Sequence, residues 1–409
     1  MILVTAPRVV TCDPARATSV DPLAVIEDGA VLIEGASIVE VGTRAALAAR
    51  SAGARILAHD GLLTPGLVDA HTHAPWMGSR DHEYALRMAG ADYEAIAAAG
   101  GGIVASMRAV RAASRDEIAR TLAARLRRMA SLGVTTVECK SGYGLDEASE
   151  RRQLEAVREA GSAADLPRVV PTYLALHALP PEAQGDRDAY ASRVAAEWLP
   201  ALASDDLVRF VDAYVDRSAF SVAQARPVLE RARALGLGVR LHVGQFADVG
   251  GAELAAEVGA ASADHLEQVG PQGIDALAAA GVRAVLLPVA SMTLRQDPPP
   301  VAALRAAGIP LVVASDANPG TAPTESLPLA LALAVRGYGL SPAEALLGAT
   351  REAAASLGLA EVCGILRPGL RADLVLWELA HENAIIQPWG ISRTRGVLRD
   401  GALISGAPV

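Results

Sequence analysis

The motif His71-Thr72-His73 is the sharpest chemical signal in this chain of 409 residues. In an extended segment, residues two positions apart point to the same side, so both imidazoles can reach one ion. Further along the chain, His242 and Asp316 each follow an apolar run of strand length. Three imidazoles and one carboxylate suit Zn²⁺, and also Fe or Mn. We therefore predict a metal site formed by His71, His73, His242 and Asp316, in which Asp316 is a ligand, a base, or both.

The elements that must position these residues alternate regularly. From Leu62 onward, apolar runs of strand length alternate with helical stretches rich in Ala, Arg, Glu and Leu. Eight such alternations over roughly 250 residues predict a closed (β/α)₈ TIM barrel. A doubly wound open sheet is the alternative, but no Gly-x-Gly-x-x-Gly motif opens its first helix. The predicted strands cover residues 62–70, 134–139, 169–176, 208–214, 238–242, 261–265, 283–287 and 310–315.

In such a barrel, active sites lie at the carboxyl ends of the strands. Five of the eight histidines fall at predicted strand ends, namely His71, His73, His177, His242 and His265. Random placement would seldom produce this convergence, so we predict a site at the mouth of the barrel. For His265 alone, a hydrogen-bonded packing role stays open. Lys140 also follows a strand, and we favour an ion-pair role for it over a carbamylated lysine that bridges two metals.

The two chain ends predict a second, smaller unit. Short β-branched runs broken by Asp-Gly, Glu-Gly and Pro occupy the first sixty residues, and the same character returns after about Ala360. We predict a small β-sandwich-like domain built from residues 1–61 and 361–409, with the barrel inserted over residues 62–360.

Composition and charge argue against several classes of protein. Hydrophobic residues make up 51% and charged residues 20%, which excludes wholesale disorder. A net charge of −9 without a basic block argues against a nucleic-acid partner. No apolar run reaches the ~18–20 residues of a spanning helix, so no membrane partner is expected. The three distant cysteines and the absence of a signal-peptide pattern predict a reducing, cytoplasmic location.

At the level of whole motifs, the chain resembles the amidohydrolase superfamily. The shared features are residues 65–73, His242, His265, Asp316 and residues 369–375. More narrowly, segments 85–103, 138–146, 177–182, 250–267 and 315–323 resemble the imidazolonepropionases. The resemblance implies hydrolysis of the lactam C–N bond of 4-imidazolone-5-propanoate to N-formimidoyl-L-glutamate in histidine degradation. It also implies one metal ion per subunit, Zn or Fe, and a homodimer.

The resemblance further implies a set of substrate contacts. A carboxylate would suit the planar fork of Arg80, for which a surface ion pair is the alternative. Tyr143 lies between glycines in a loop that can aim its phenol into the pocket. The turn over residues 318–321 can offer an amide, a hydroxyl and backbone N–H groups. The implied contacts are Arg80, Tyr93, Tyr143, His177, Gln245, Asn318, Gly320 and Thr321.

For catalysis we expect Asp316 to take a proton from the attacking water and pass it to the departing ring nitrogen. His265 would hydrogen-bond the water or the developing oxyanion. Gln245 can orient the substrate, but an amide cannot transfer a proton, so ring opening is favoured over deamination. Two alternatives stay open. One is another cyclic-amide hydrolase or an aminohydrolase of a small heterocycle, and the other is a non-catalytic scaffold, against which the retained ligands argue.

Overall fold

The computed structural model describes residues 1–91, 101–217, 219–387 and 389–407. Within these ranges the N-terminal strands are β1 (Ile2–Val10), β2 (Val25–Glu34), β3 (Ser37–Thr43), β4 (Arg55–Ala58) and β5 (Leu62–Pro65). The barrel strands are β6 (Leu67–Asp69), β7 (Val134–Lys140), β8 (Arg168–Leu176), β9 (Phe210–Val215), β10 (Gly238–Val243), β11 (Ser262–His265), β12 (Arg283–Leu286) and β13 (Leu311–Val313). The C-terminal strands are β14 (Leu374–Trp377), β15 (Thr394–Arg399) and β16 (Ala402–Gly406).

Strands β6 to β13 form one parallel sheet whose spatial order is the chain order. The sheet closes because Thr72, beyond β6, pairs in parallel with Ala317, beyond β13. At the same seam, the backbone N–H of Asp316 donates to the carbonyl of His71 at 3.1 Å. The (β/α)₈ barrel predicted from the alternating pattern is therefore confirmed. Closure also brings the carboxyl ends of the first and last strands side by side.

Helices connect the barrel strands and cover the outside of the sheet. Several begin with serine caps, and the capping box of Ser114 and Glu117 starts the helix before β7. The α-helices of the described residues are Arg44–Ala48, Asp81–Met88, Ile103–Ala112, Arg115–Ala130, Glu147–Ser162, Arg187–Arg193, Leu199–Ser204, Val222–Ala234, Gly251–Glu257, Pro271–Ala280, Pro288–Leu294, Val301–Ala306, Leu327–Tyr338, Pro342–Gly348 and Arg351–Ser356. Short 3₁₀ turns cover Pro181–Ala183 and Glu382–Ile385, and a π-helical segment covers Val194–Trp198.

The chain ends meet in a separate mixed sheet of order β16-β15-β14-β5-β1-β2-β3, in which β4 also pairs with β1. Strands β5 and β14 are antiparallel neighbours, with Leu62 opposite Trp377. One face of the sheet buries Val4, Val9, Ile33 and Leu374 in a core of its own. The expected small β unit built from both ends of the chain is thus present, and it is held together by backbone pairing across more than 300 residues of sequence.

The predicted strand over residues 62–70 is two strands in the structure. Leu62–Pro65 pairs within the sheet of the chain ends, and Leu67–Asp69 opens the barrel. Gly66 separates them at a close crossing, because a Cβ at this position would lie 2.1 Å from the Thr135 hydroxyl. Residues 363–366, an apolar run for which a strand is expected among the short runs after Ala360, form no strand, because Gly364 bends the chain there with φ of +90°.

Cys12, Cys139 and Cys363 are buried and form no disulfide. In the part of the chain that the structure describes, no helix combines the length and the apolar character needed to cross a membrane.

Candidate metal and substrate site

Four side chains converge at the carboxyl ends of the barrel strands. His71 and His73 follow β6, His242 lies near the end of β10, and Asp316 follows β13. A ligand nitrogen from each of the three histidines falls within 4.8 Å of the other two. Oδ1 of Asp316 lies 3.5 Å from Nε2 of His71 and 3.4 Å from Nε2 of His73. The structure thus brings together all four residues proposed as metal ligands.

The unpaired atoms of this cluster fit a cation. Nε2 of His71 and Oδ1 of Asp316 are buried without a hydrogen-bond partner among the described residues. Burial lowers the pKa of both His73 and His242, so both imidazoles are neutral at pH 7. Their Nε2 atoms nevertheless face each other at 3.4 Å. Two neutral nitrogens and a carboxylate oxygen pointing into one dry space make a donor set that suits a divalent metal ion.

Burial by itself would raise the pKa of Asp316. The close contacts with the imidazoles of His71 and His73 outweigh it and hold the pKa of this carboxyl well below its usual range. Asp316 is therefore an anion at neutral pH, which is the form that a metal ligand or a proton acceptor requires.

A layer of buried carboxylates orients the histidine rings from below. Oδ2 of Asp264 lies 2.6 Å from Nδ1 of His71, and Oδ1 of Asp212 lies 3.1 Å from Nδ1 of His242. Each carboxylate accepts the Nδ1 proton, which leaves Nε2 of each ring as the nitrogen that can bind a metal ion. Such partners are typical of histidines that bind metals.

The buried acids are balanced by two fully buried cations. Nζ of Lys140 donates to Glu138 at 2.8 Å and to Asp212 at 2.7 Å. Nη2 of Arg240 lies 3.4 Å from Asp264. Lys140 therefore has the ion-pair role favoured from the sequence. The cluster links residues of four barrel strands, β7, β9, β10 and β11, and each buried charge in it has a partner of opposite sign.

His265 ends β11 within 5.5 Å of the His242 ring, measured between ring centroids. Its Nδ1 lies 3.6 Å from Oε2 of Glu267, and its backbone adopts the left-handed region with φ of +81°. Asp316 is also left-handed, with φ of +54°. Non-glycine residues occupy this region at a cost, and such strain concentrates at functional sites.

His177 and Tyr143 form an aromatic wall beside the metal cluster. His177 stacks on His73 with centroids 5.3 Å apart, and Tyr143 meets His177 edge-on at 5.1 Å. Burial lowers the pKa of His177 to about 3, so the ring is neutral and donates from Nδ1 to the carbonyl of Gly142 at 2.7 Å. The remaining ring nitrogen, Nε2, can then act as an acceptor toward a ligand.

The loop that carries Tyr143 is held by one carboxylate that sequence reasoning missed. Glu150 accepts the backbone N–H groups of Gly142, Gly144 and Leu145 at 2.7, 2.7 and 2.8 Å. The loop has no regular secondary structure. The three backbone N–H groups that donate to this one buried carboxylate hold it in place. Tyr143 is thereby placed with little freedom to move.

Arg80 is buried rather than on the surface, and it lines the site cavity. Its Nε donates to Glu83 at 2.7 Å. Arg80 therefore forms an ion pair and also lines the cavity, where it can contact a substrate. The guanidinium lies against Gly320, where a Cβ would meet Nη1 at 2.3 Å. A side chain at position 320 would therefore displace the Arg80 guanidinium from its present place.

The turn after Asp316 is organised by Asn318. Oδ1 of Asn318 accepts the N–H groups of Gly320 and Thr321 at 2.8 and 2.7 Å, and its Nδ2 donates to the carbonyl of Asp316 at 2.7 Å. This Asx-type turn places the Thr321 side chain in the lining of the site cavity.

Gln245 lines the same cavity and is oriented by a residue that the sequence did not suggest. The hydroxyl of Tyr214 donates to Oε1 of Gln245 at 2.7 Å. The NH₂ group of the Gln245 amide therefore points away from Tyr214. Gln296 holds the backbone of Gln245 as well, because its Nε2 donates to the Gln245 carbonyl at 2.7 Å.

Of the residues expected in the site, Tyr93 lies outside the described residues. The cavity is lined by His73, Arg80, Tyr143, His177, His242, Gln245, His265, Asp316, Asn318 and Thr321, together with Ile103, Tyr214 and Phe246.

The sequence did not lead us to predict the buried acids Asp212, Asp264 and Glu138, although their positions in the sequence indicate that they need buried partners. Each interrupts an apolar strand, and a charge at such a position must find a buried partner.

Comparisons with known proteins agree with this architecture. A family model described as the amidohydrolase family matches residues 62–405. An imidazolonepropionase of Ralstonia nicotianae is 46% identical over 390 residues, which cover 94% of this chain and 95% of that protein. One from Cereibacter sphaeroides is 47% identical over 366 residues, which cover 89% and 92%.

Among solved structures, a triazine hydrolase from Arthrobacter aurescens superposes with a TM-score of 0.78. It is 21% identical, and the match covers 100% of this chain and 96% of that one, so it shows the fold. The family model and the identity of 46–47% to the two imidazolonepropionases show the family as well as the fold. The chain belongs to the amidohydrolase family and, within it, to the imidazolonepropionases.

Proposed function

We propose that this enzyme hydrolyses the lactam C–N bond of 4-imidazolone-5-propanoate and releases N-formimidoyl-L-glutamate, a step of histidine degradation. The observation that carries the proposal is the convergence of His71, His73, His242 and Asp316 beside a buried arginine. The first four supply a metal-dependent hydrolytic centre, and Arg80 supplies a partner for the propionate group.

The metal ion would be held by His71, His73, His242 and Asp316. Zinc and iron both suit this donor set, and when bound, either ion polarises a carbonyl and activates a water molecule. Metal content by mass spectrometry distinguishes them.

Each residue of the pocket then has a role in ring opening. Arg80 pairs with the propionate, while Tyr143 and His177 pack against the ring and hydrogen-bond its polar atoms. Asp316 takes the proton of the attacking water as the new C–O bond forms. It then passes that proton to the ring nitrogen as the C–N bond breaks, and the carboxylic acid formed on the former carbonyl carbon loses its remaining proton to solvent.

His265 donates to the oxygen that gains charge, and the NH₂ group of Gln245 orients the lactam. Asn318, Gly320 and Thr321 hold substrate or product beside Asp316. Since the amide of Gln245 cannot exchange a proton, the pocket favours ring opening over loss of ammonia from an aminoheterocycle.

A coupled assay tests the proposal. Urocanase generates the unstable substrate, loss of its ultraviolet absorbance is followed, and formimidoylglutamate is assayed with and without a chelator. We expect rapid conversion that the chelator abolishes. No conversion by metal-loaded protein would reject this substrate and direct the search to other carboxylated lactams and to aminoheterocycles.

A pair of matched variants links the activity to the site. His242→Asn removes a proposed ligand, whereas His381→Asn makes the same chemical change at an exposed position in the connection between β14 and β15. We expect the first to lose metal and turnover and the second to keep both. We also propose that the protein is a homodimer, which light scattering tests. We further propose a cytoplasmic location and no nucleic-acid or membrane partner.

A further inference from the structure

A second, larger cavity opens beside the catalytic pocket. Its volume is about 710 Å³, and it shares four lining residues with that pocket, namely Ile103, His177, Tyr214 and Phe246. Four arginines from separate segments line it: Arg87, Arg187, Arg217 and Arg295. None of its described lining residues is Asp or Glu. We refer to this cavity with its four arginines as the arginine vestibule.

Three of these arginines lack ion-pair partners in the described residues. Arg187 is half-buried, and its Nε is shielded from solvent without a hydrogen-bond partner. Arg217 and Arg295 are exposed, and no carboxylate lies within ion-pair distance of either among the described residues. The fourth, Arg87, donates from Nη1 to the carbonyl of Gly320 at 2.7 Å and so joins the vestibule to the catalytic pocket.

The acids adjacent to Arg187 and Arg217 in the sequence form hydrogen bonds with other groups. Asp186 accepts the backbone N–H of Ala189 at 2.9 Å. Asp188 accepts from Nε2 of Gln224 at 2.7 Å, and Asp216 accepts the backbone N–H of Phe246 at 2.9 Å. Among the described residues, none of these three carboxylates forms an ion pair with Arg187, Arg217 or Arg295, so these guanidinium groups remain available to an anion.

The position of Arg295 is fixed by the backbone. It ends the helix Pro288–Leu294 in the left-handed conformation with φ of +57°. The next residue, Gln296, donates to the Gln245 carbonyl in the catalytic pocket. The arginine thus stands on a rigid corner beside the catalytic residues rather than on a free loop.

The charge of the whole chain makes this local concentration significant. At a net charge of −9, the protein as a whole repels an anion. The described lining of the vestibule carries four arginines and no acid, and its apolar wall residues include Leu179, Phe220 and Leu294. A cleft with charges of one sign and apolar walls focuses its field and concentrates the opposite charge.

We propose that the arginine vestibule is an outer binding subsite for a small organic carboxylate, which it captures and delivers to the catalytic pocket. The inference rests on the proposed function in one respect, because the carboxylate that it captures in catalysis is the propionate group of the substrate. The inner partner, Arg80, is a separate residue and belongs to the catalytic pocket.

The test removes two exposed charges from the vestibule with the double variant Arg217→Gln/Arg295→Gln. The matched control is Arg55→Gln/Arg231→Gln, which changes the net charge by the same amount. Arg55 lies on β4, and Arg231 lies in the last turn of a helix that leads to the amino end of β10, on the opposite face of the barrel. Neither control residue lines either cavity.

In kinetics, we expect kcat/KM of the wild type to fall as salt is added, because the Debye length shrinks to about 10 Å at 0.1 M. The vestibule variant should lose about fivefold in kcat/KM at low salt, with a flatter salt dependence and with most of the loss in KM. The control should follow the wild type. A wild type without salt dependence, or equal losses in both variants, would overturn the inference.

A second measurement does not depend on turnover. Glutarate, a five-carbon dicarboxylate without a lactam bond, is titrated calorimetrically into each protein. We expect weaker binding by the vestibule variant and unchanged binding by the control, with Arg80 intact in both. Equal affinities in all three proteins would reject the subsite. An inactive wild type that still shows the difference would reject the proposed substrate and keep the subsite.

Discussion

Asp316 meets two imidazoles with the same carboxylate oxygen, at 3.5 Å from His71 and 3.4 Å from His73. This position fits both roles that we propose for Asp316, a metal ligand and an acceptor of a proton from water. The depressed pKa of this carboxyl fits them as well, because it keeps the side chain ionised. Both roles require the negative charge and not only the shape of the side chain.

The variant Asp316→Asn separates charge from shape. Because the amide is nearly isosteric but cannot accept a proton, we expect turnover to fall by orders of magnitude and metal content to fall with it. Steady-state kinetics and elemental analysis measure both. Asp60→Asn at an exposed position is the control, and near-normal turnover by Asp316→Asn would contradict the proposed proton route.

Tyr214 acts through Gln245, because its hydroxyl determines which end of that amide faces the cavity. In Tyr214→Phe the amide can rotate, and the loss of about 1 kcal/mol should lower kcat/KM about fivefold. The same kinetics on Tyr190→Phe, which alters a buried tyrosine packed on Trp198 and Phe220, provide the control. If Tyr214→Phe keeps full kcat/KM, Gln245 does not need the hydroxyl.

At the scale of elements, the irregular segments of the site are held by buried side-chain oxygens that accept backbone N–H groups. The loop after β7 depends on Glu150, and the turn after β13 depends on Asn318. A strand places its last residue at the barrel mouth, but it does not determine the conformation of the loop that follows. Side-chain oxygens that accept backbone N–H groups of the loop determine that conformation.

Glu150→Gln replaces one acceptor oxygen by a donor that faces backbone N–H groups. We expect a loss of about 2 kcal/mol in the free energy of unfolding, and a raised KM because the Tyr143 loop loosens. Denaturant titration and steady-state kinetics give the two values. Glu147→Gln changes a half-exposed residue of the same helix and should alter neither. A stability loss with unchanged KM would limit Glu150 to a structural role.

At the scale of the whole molecule, the two chain ends are joined by one bidentate ion pair. Nε and Nη2 of Arg8 donate to the two oxygens of Glu382 at 2.6 and 2.8 Å. Burial alone would raise the pKa of Glu382, but the hydrogen bond and charge of Arg8 outweigh it and lower the pKa. The pair therefore stabilises the fold while Glu382 is ionised.

Glu382→Gln should lower the free energy of unfolding by about 2 kcal/mol at pH 7. A carboxyl whose pKa is lower in the folded state stabilises above its unfolded pKa of about 4.3, and the effect vanishes as pH falls through the folded pKa. Urea titrations from pH 7 to pH 3 should show the two proteins converging. Glu27→Gln, at an exposed partner of the same arginine, should cost less than about 0.5 kcal/mol. A difference that persists at pH 3 would contradict this account.

Much of the architecture follows from local pattern. The count of alternating runs predicts the barrel, and the spacing of His71 and His73 predicts a shared direction, because side-chain direction along a strand depends only on neighbouring residues. The placement of histidines and Asp316 at strand ends follows from the same runs. These features need no knowledge of which strand lies beside which, so the sequence by itself determines them.

The tertiary structure decided what depends on closure and stagger of the barrel. Asp212 and Lys140 belong to strands more than 70 residues apart, and only the register of β7, β8 and β9 brings them within 2.7 Å. The Tyr214 hydrogen bond to Gln245 and the gathering of four arginines around one cavity arise in the same way. Contacts between distant segments depend on the closed geometry of the whole sheet, which no local pattern encodes.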